Sequence, residues 1–280
     1  MTTRRNTVPA IRAAKRRDGA LPLTMVTAYD EPTARLASAG GVDLLLVGDS
    51  VGNTVLGLPD TLSVTVEMMV HHIAAVARAK PEAFIVGDMP WMSYHVSIEE
   101  SVRNAAALVR AGAQAVKLEG GANRAAVVSA IVDAEIPVMG HLGLTPQSVH
   151  AMGGYRVQGR SSEAADEVRS AAQILEEAGC FALVLEGVPD VLAEAITNDR
   201  SIPTIGIGAG AATDGQVLVL HDMLGLGQHT PPKFVRRYAD GGSLITGAVA
   251  AYVADVQSGA FPSEAETYHA SEDLRSHLEG

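Results

Sequence analysis

The 280-residue sequence is poor in cysteine, in aromatic residues and in long apolar runs. Its single cysteine, Cys180, excludes an intramolecular disulfide and any metal cluster held by several cysteines. No apolar run approaches the ~20 residues that a membrane-spanning helix needs. The basic stretch at residues 1–20 lacks an apolar core of signal-peptide length. We therefore expect a cytoplasmic protein that does not bind membranes.

Positive charge is also scarce. The chain carries 21 lysines and arginines against 32 aspartates and glutamates, a net charge of −11. Non-specific binding of nucleic acid needs clustered cations, so we expect no nucleic-acid partner. Apolar residues make up 47% of the chain and aromatic residues only 4%, a composition that suits aliphatic strands packed between helices. A local site for an anionic substrate is still compatible with this surface.

From residue 21 onward, short apolar runs alternate with stretches of helical periodicity. Eight strands alternating with helices predict a single α/β domain, a (β/α)8 barrel of the TIM type, over residues 21–262. Residues 1–20 are then an N-terminal extension and 263–280 a polar C-terminal tail, with a last barrel helix at 247–257. A doubly wound open sheet is the alternative, but no GxGxxG motif follows the first strand. The predicted strands cover residues 23–29, 44–48, 84–87, 115–119, 137–141, 182–186, 204–207 and 217–221.

Two of these strands run into the same tripeptide, Val-Gly-Asp, which ends at Asp49 and at Asp88. An aspartate in this position can be a helix N-cap or a turn residue. The repetition instead favours two carboxylates that converge at one rim of the sheet. Magnesium binds oxygen ligands, typically one or two carboxylates with substrate oxygens and water. We therefore predict a hard divalent cation, such as magnesium, held by Asp49 and Asp88.

Further polar residues follow or end apolar runs: Ser50, Lys117, Glu119, His141 and Glu186. Active sites of barrels lie at this rim, and charged residues are seldom buried without partners. Lys117 and Glu119 are two residues apart and share one face of their strand, either the barrel interior or the helix side. The alternative for Lys117 and Glu119 is a structural salt bridge, and the alternative for His141 is a histidine buried in the core. The irregular stretch at 145–159 is interpreted as an inserted active-site loop.

Nearly the whole chain resembles the ketopantoate hydroxymethyltransferase family. No single short motif carries this resemblance, because matching segments occur in the same order along the sequence. They are VTAYD at 26–30, LLVGDSVG at 45–52, VGDMP at 86–90, VKLEGG at 116–121, GHLGLTPQS at 140–148, LVLEGVP at 183–189, TIGIGAG at 204–210 and QVLVLHDMLG at 216–225.

The resemblance implies a magnesium-dependent (β/α)8 barrel. Its members transfer a hydroxymethyl group from 5,10-methylenetetrahydrofolate to 3-methyl-2-oxobutanoate, giving 2-dehydropantoate in pantothenate biosynthesis through a magnesium-stabilised enolate. The family is also known for large homo-oligomers, commonly decamers. The expected partners are thus a small 2-oxo acid, a folate and further copies of the chain.

The resemblance also assigns roles to the residues at the strand ends. Glu186 is implied as the catalytic base. Two positions depart from the family's usual residues: Trp91 where phenylalanine is usual, and Asn53 where methionine is common. The implied metal ligands are Asp49, Asp88 and Glu119, and the implied substrate contacts are Asp49, Ser50, Asp88, Lys117 and His141.

Two other classes remain open from the sequence. Metal-dependent lyases and phosphonate-type mutases on related barrels also bind 2-oxo acids, but many use a catalytic cysteine in a mobile loop. Cys180 precedes a strand and is interpreted as a small buried hydrophobic residue instead. A barrel that binds a metabolite without catalysis would leave the lysine, glutamates and histidine at the strand ends unexplained.

Overall fold

A computed structural model describes residues 6–15, 21–227 and 231–280. Its strands form one closed barrel, paired in chain order and all parallel, and β1 pairs with both β2 and β8. This confirms the predicted (β/α)8 fold and excludes the open sheet. The strands are β1 Leu23–Thr27, β2 Leu44–Val47, β3 Phe84–Asp88, β4 Ala115–Glu119, β5 Val138–Gly143, β6 Ala182–Glu186, β7 Thr204–Ile207 and β8 Gly215–Leu218.

Helices follow the strands around the barrel. They are α1 Val8–Ala13, α2 Glu31–Ala39, α3 Val51–Thr54, α4 Val66–Arg78, α5 Ile98–Arg110, α6 Ala125–Asp133, α7 Val149–Met152, α8 Ser162–Glu177, α9 Asp190–Asp199, α10 Leu220–Leu224, α11 Gly241–Ser258 and α12 Glu272–Glu279. Short 3-10 turns lie at Ala122–Arg124, Pro146–Ser148 and Glu264–Glu266.

The last long helix begins earlier than the predicted residue 247. It starts at Gly241, because the carboxylate of Asp240 caps it by accepting the Ser243 N–H at 3.3 Å. An aspartate N-cap satisfies an amide that would otherwise lack a partner, and this offsets the poor helix propensity of two successive glycines.

On β3 and β5 the inward side chains are apolar at first and polar or charged near the carboxyl end. Inward residues such as Phe84 and Val86 of β3 and Met139 of β5 belong to an apolar cluster that fills the barrel interior. Side chains two positions apart share a face, so Asp88 and His141 continue the same inward rows. Apolar side chains therefore fill the barrel below, and charged side chains occupy its carboxyl end.

The described part of the N-terminal extension closes the opposite end of the barrel. Ile11 of α1 is fully buried and packs in the interior cluster. Lys15 lies 2.8 Å from the carboxylate of Asp214, just before β8, and donates to the Thr197 carbonyl at 2.6 Å. Packing and an ion pair thus hold this segment to the barrel. Residues 1–5 and 16–20 of the predicted extension lie outside the described residues.

Cys180 lies at the amino end of β6, away from the rim that carries the charged residues. It is 2% exposed, and burial raises the pKa of its thiol to about 12. Its interpretation as a small buried hydrophobic residue is confirmed. A thiol in this place cannot act as the mobile catalytic cysteine of a lyase or mutase.

The C-terminal helix α11 is not packed against the barrel. Every residue from 243 to 280 is exposed, although α11 is rich in apolar residues. In the parts of the chain that the structure describes, no helix has both the length and the apolar character needed to cross a lipid bilayer. The predicted polar tail contains a 3-10 turn and α12.

Candidate active site

The structure brings all of the predicted site residues together at the carboxyl end of the barrel. Strand register does much of this: Asp88 pairs with Lys117, and Glu119 pairs with His141. The predicted residues all line one cavity of about 850 Å³. They are Asp49, Ser50, Asp88, Lys117, Glu119, His141 and Glu186.

Lys117 and Glu119 point into the barrel, which decides between the two faces that the sequence left open. Lys117 is 3% exposed, and its Nζ lies 2.8 Å from Asp88 Oδ1 and 4.0 Å from Glu119 Oε1. Burial lowers the pKa of Lys117, but Asp88, Glu119 and Asp49 outweigh this effect and raise it. Lys117 is therefore a fixed positive charge among carboxylates.

The buried carboxylates outnumber the cation beside them. Asp49 is 4% exposed and Asp88 1% exposed. Burial raises the pKa of Asp49 well above its usual range, and repulsion from Asp88 and Glu119 adds to this. Burial likewise raises the pKa of Asp88, although Lys117 opposes the shift. A cation placed between these groups would relieve both the burial cost and the repulsion.

His141 connects Glu119 to Glu186. Its Nδ1 lies 3.4 Å from Glu119 Oε1, and its Nε2 lies 3.3 Å from Glu186 Oε2. Burial and Lys117 lower the pKa of His141, but the two glutamates outweigh them and raise it to about 9. The imidazole is therefore charged at neutral pH, and it faces one glutamate with each ring nitrogen.

Asp49 and Ser50 come from the loop after β2. The Asp49 N–H donates to Asp88 Oδ2 at 3.2 Å, which ties this loop to the neighbouring strand. Ser50 precedes α3, and its hydroxyl lies 2.8 Å from the hydroxyl of Tyr29, the residue two positions after β1. The loop is thereby anchored on both sides, and it contains the short helix α3.

The sequence analysis missed Gln147 and Tyr94. Gln147 is 5% exposed and its side chain donates to Asp49 Oδ2 at 2.8 Å. Tyr94 is 1% exposed, and its hydroxyl donates to the Gln147 amide oxygen at 2.6 Å. Both residues belong to loops after strands, so neither ends an apolar run. Gln147 does lie in the irregular stretch assigned to the site and in the segment GHLGLTPQS at 140–148.

Residues farther along the irregular stretch line the same cavity as the predicted site residues. Tyr155 and Arg156 do so together with Lys233 and Phe234. Of the two positions that depart from the family pattern, Asn53 lines the cavity. Trp91 is 41% exposed and is not among the described residues that line it.

Gly143 supports the position of Glu186. It pairs with Glu186 in the sheet and has a φ of +93°. A Cβ at this position would fall against the Glu186 carbonyl oxygen and 2.7 Å from a methyl group of Val188. The glycine is therefore required both by its backbone conformation and by the close approach of β6.

We expect Gly143→Ala to destabilise the fold by more than the ~1–3 kcal/mol of an unfavourable φ, because the clash with β6 adds to it. Gly153→Ala is the matched control, since Gly153 has a φ of +67° with nothing within 4 Å of the added Cβ. Urea denaturation of both variants measures the difference. Equal losses in the free energy of unfolding would show that the contact with Glu186 adds nothing to the cost of the unfavourable φ.

A closed parallel barrel with a lysine, a histidine and several carboxylates in a cavity at its carboxyl end defines a (β/α)8-barrel enzyme. The sequence profile of the family described as ketopantoate hydroxymethyltransferase matches residues 5–264. The chain belongs to this family and is a transferase.

Close relatives agree with this assignment. The chain is 54% identical over 259 residues to the 3-methyl-2-oxobutanoate hydroxymethyltransferase of Koribacter versatilis (strain Ellin345), covering 92% of this chain and 88% of the relative. It is 56% identical over 248 residues to the enzyme of the same name from Pelobacter propionicus, covering 88% and 92%. Both relatives match nearly end to end.

Solved structures with more distant sequences share the fold. Phosphonopyruvate hydrolase superposes with a TM-score of 0.61 at 16% identity, covering 99% of this chain and 95% of that one. Phosphoenolpyruvate phosphomutase from Streptomyces platensis subsp. rosaceus gives 0.58 at 15% identity, covering 98% and 95%. At these identities the likeness concerns the barrel alone.

Proposed function

We propose that this chain transfers a hydroxymethyl group from 5,10-methylenetetrahydrofolate to 3-methyl-2-oxobutanoate, giving 2-dehydropantoate for pantothenate biosynthesis, and that it uses magnesium. One observation carries the proposal: buried carboxylates surround one lysine in a cavity at the barrel rim of a ketopantoate hydroxymethyltransferase family member. Such a site suits a cation together with an anionic substrate.

The residues present fit a magnesium ion. In the described residues, no group of three His, Cys, Asp or Glu side chains is arranged to hold a metal by itself. Asp88 Oδ1 is buried and makes no hydrogen bond within those same residues, although Lys117 lies beside it. Asp49 and Asp88 would be the direct ligands. Substrate oxygens and water would complete the shell, as magnesium prefers.

Glu119 fits a place beside the metal better than a place in its direct shell. One of its oxygens accepts the Gln147 N–H at 3.0 Å, and the other faces His141. Burial raises the pKa of Glu119, but His141 and Lys117 outweigh this and lower it. Glu119 is therefore an anion already held by protein groups, and it would reach the metal through water.

Glu186 is our candidate for the base that removes the C3 proton of the keto acid. It ends β6, its side chain is 17% exposed, and it lies across His141 from the carboxylates. When bound, the magnesium ion would polarise the keto group, which acidifies the C3 hydrogen. A general base must lie within hydrogen-bond reach of the proton it removes, and Glu186 lines the cavity that would hold the keto acid.

The remaining residues would bind the substrate and balance charge. Lys117 offsets the two aspartates and the substrate carboxylate, and the Ser50 hydroxyl is within the cavity for a hydrogen bond to the acid. The C3–H bond breaks, and its electron pair forms the bond to the one-carbon unit. Both bonds from that carbon to the folate nitrogens N5 and N10 break. The two nitrogens take the C3 proton and one proton of water, and the remaining hydroxide of that water becomes the new hydroxyl group.

The cavity suits the folate as well as the keto acid. A cavity of about 850 Å³ is much larger than a small keto acid requires and lies in the range of sites for larger ligands. Its lining includes two aromatic rings, Tyr155 and Phe234, and two cations, Arg156 and Lys233. Aromatic rings pack on flat heterocycles, and cations pair with the carboxylates of a glutamate tail.

The exposed C-terminal helix supports the proposal that the chain forms a homo-oligomer, and the resemblance suggests a decamer. Large apolar side chains recur along one side of α11 at helical spacing and are exposed to solvent. Exposed apolar patches of this kind mark protein contacts. The residues of this apolar stripe are Ile245, Val249, Tyr252, Val253 and Val256.

We expect Val249→Glu to shift the protein toward smaller species, because a charge in the apolar stripe would be buried without a partner in an interface. Ala254→Glu is the matched control, since Ala254 lies on the opposite side of α11 by helical geometry. Light scattering coupled to size exclusion measures the mass. An unchanged mass in Val249→Glu would exclude the stripe from the interface.

Hydrogen exchange at C3 tests the proposed chemistry. We expect the C3 proton of 3-methyl-2-oxobutanoate to exchange with deuterium when protein and magnesium are present without folate. NMR of the substrate in D2O measures this exchange. EDTA should stop the exchange, and 2-dehydropantoate should form only after 5,10-methylenetetrahydrofolate is added. Exchange that continues in EDTA would show that removal of the C3 proton does not require magnesium. If exchange requires tetrahydrofolate, folate binds before the base acts.

A further inference from the structure

The side chain and backbone of Gln147 connect two carboxylates that the proposed metal site needs. Its Nε2 donates to Asp49 Oδ2 at 2.8 Å and to the Met89 carbonyl at 3.0 Å. Its backbone N–H donates to Glu119 Oε2 at 3.0 Å. Its Oε1 accepts the Tyr94 hydroxyl at 2.6 Å. Gln147, which follows β5, thus joins the loops after β2 and β3 to the last residue of β4.

The orientation of this amide is determined by its partners. The Glu119 N–H donates to the Tyr94 hydroxyl oxygen at 3.2 Å, so the Tyr94 proton is directed to Gln147 Oε1. The Met89 carbonyl can only accept hydrogen bonds, and so can Asp49 in its ionised, metal-binding form. A flipped amide would place an oxygen against both acceptors. The bonding pattern therefore permits one orientation, with both amide hydrogens used.

We propose that Gln147 is a positioning residue that fixes which oxygen of Asp49 faces the metal and which oxygen of Glu119 faces the cavity beside it; this inference rests on the magnesium site proposed above. It engages Oδ2 of Asp49 and Oε2 of Glu119, so the other oxygen of each group is left for the cavity side. Glu119 Oε1 does face the cavity residues His141 and Lys117. Groups that orient metal ligands by hydrogen bonds commonly govern metal affinity.

Calorimetric titration of Mg²⁺ into protein saturated with 3-methyl-2-oxobutanoate tests the inference. Gln147→Met keeps the side-chain volume and removes both amide donors. We expect its magnesium affinity to fall about 10–100-fold, the usual effect of losing such a partner. Its kcat should recover at saturating magnesium, because Gln147 does not touch the reacting atoms. A merely structural role would lower thermal stability and leave the metal affinity of the folded protein unchanged.

Tyr94→Phe is a second variant that leaves Gln147 in place. It removes the hydroxyl that fixes the amide oxygen, and we expect a smaller loss of magnesium affinity in the same direction. Gln173→Ala, on the exposed side of α8, is the surface control. Wild-type affinity in a folded Gln147→Met, or in Tyr94→Phe if the former does not fold, would overturn the positioning role. Absence of magnesium binding by the wild-type protein would instead overturn the metal proposal itself.

Discussion

We expect Glu186→Gln to slow deuterium exchange at C3 of 3-methyl-2-oxobutanoate by about 10²–10⁴-fold, the usual contribution of a positioned general base. The change preserves the shape of the side chain and removes its ability to accept a proton as a carboxylate. The side chain lies 3.3 Å from His141 Nε2 and lines the cavity. NMR of the substrate in D2O, with magnesium and without folate, measures the rate.

Binding measurements separate the loss of a base from damage to the site. Glu186 is not among the proposed magnesium ligands, so calorimetry should give the same magnesium affinity for Glu186→Gln as for the wild type. Glu163→Gln, on the exposed first turn of α8, is the matched control and should exchange at the wild-type rate. Wild-type exchange in Glu186→Gln would mean that another group removes the proton, and His141 would be the next residue to test.

We expect Lys117→Met to lower the free energy of unfolding of the metal-free protein by about 3–5 kcal/mol, the cost of leaving buried carboxylates without their cation. Lys117 lies 2.8 Å from Asp88, and both side chains are almost completely buried. Methionine fills similar volume, so the loss would be electrostatic and not a cavity effect. The loss should shrink as the pH falls, because protonation removes the unpaired charges.

Urea unfolding in EDTA, at one fixed protein concentration, measures this effect. Lys80→Met is the control, since Lys80 is exposed and surface substitutions usually change stability by less than about 0.5 kcal/mol. Adding Asp88→Asn to Lys117→Met should restore part of the loss, because the two residues are coupled. Strictly additive losses would show that the pair does not interact.

The barrel could be predicted from the sequence because its strands lie between a layer of helices and a filled interior. Such strands are mostly apolar on both faces. Eight such runs alternating with helical stretches leave few other folds. The ends of elements were less predictable: β5 extends to Gly143, and α11 begins at Gly241. Capping and pairing partners set these ends, and the partners lie outside the local pattern.

The position of the site was also accessible from sequence. Asp88 and Glu186 each end a strand without another charged residue, and Glu119 ends a strand whose one other charged residue is Lys117. A buried charge in such a position requires a partner or a function. The spacing of Lys117 and Glu119 showed that they share a face. It did not show whether that face points into the barrel or toward the helices, because both faces of a strand in such a barrel are buried.

The sequence by itself determined the barrel, the rim that carries the chemistry and the family to which the chain belongs, because these follow from local periodicity and from residues at strand ends. Only the tertiary structure decided that Lys117 points inward, that Ile11 closes the far end and that Gln147 orients Asp49 and Glu119. These features depend on contacts between segments far apart in the chain. No local pattern specifies such contacts, because closure of the barrel alone brings their partners together.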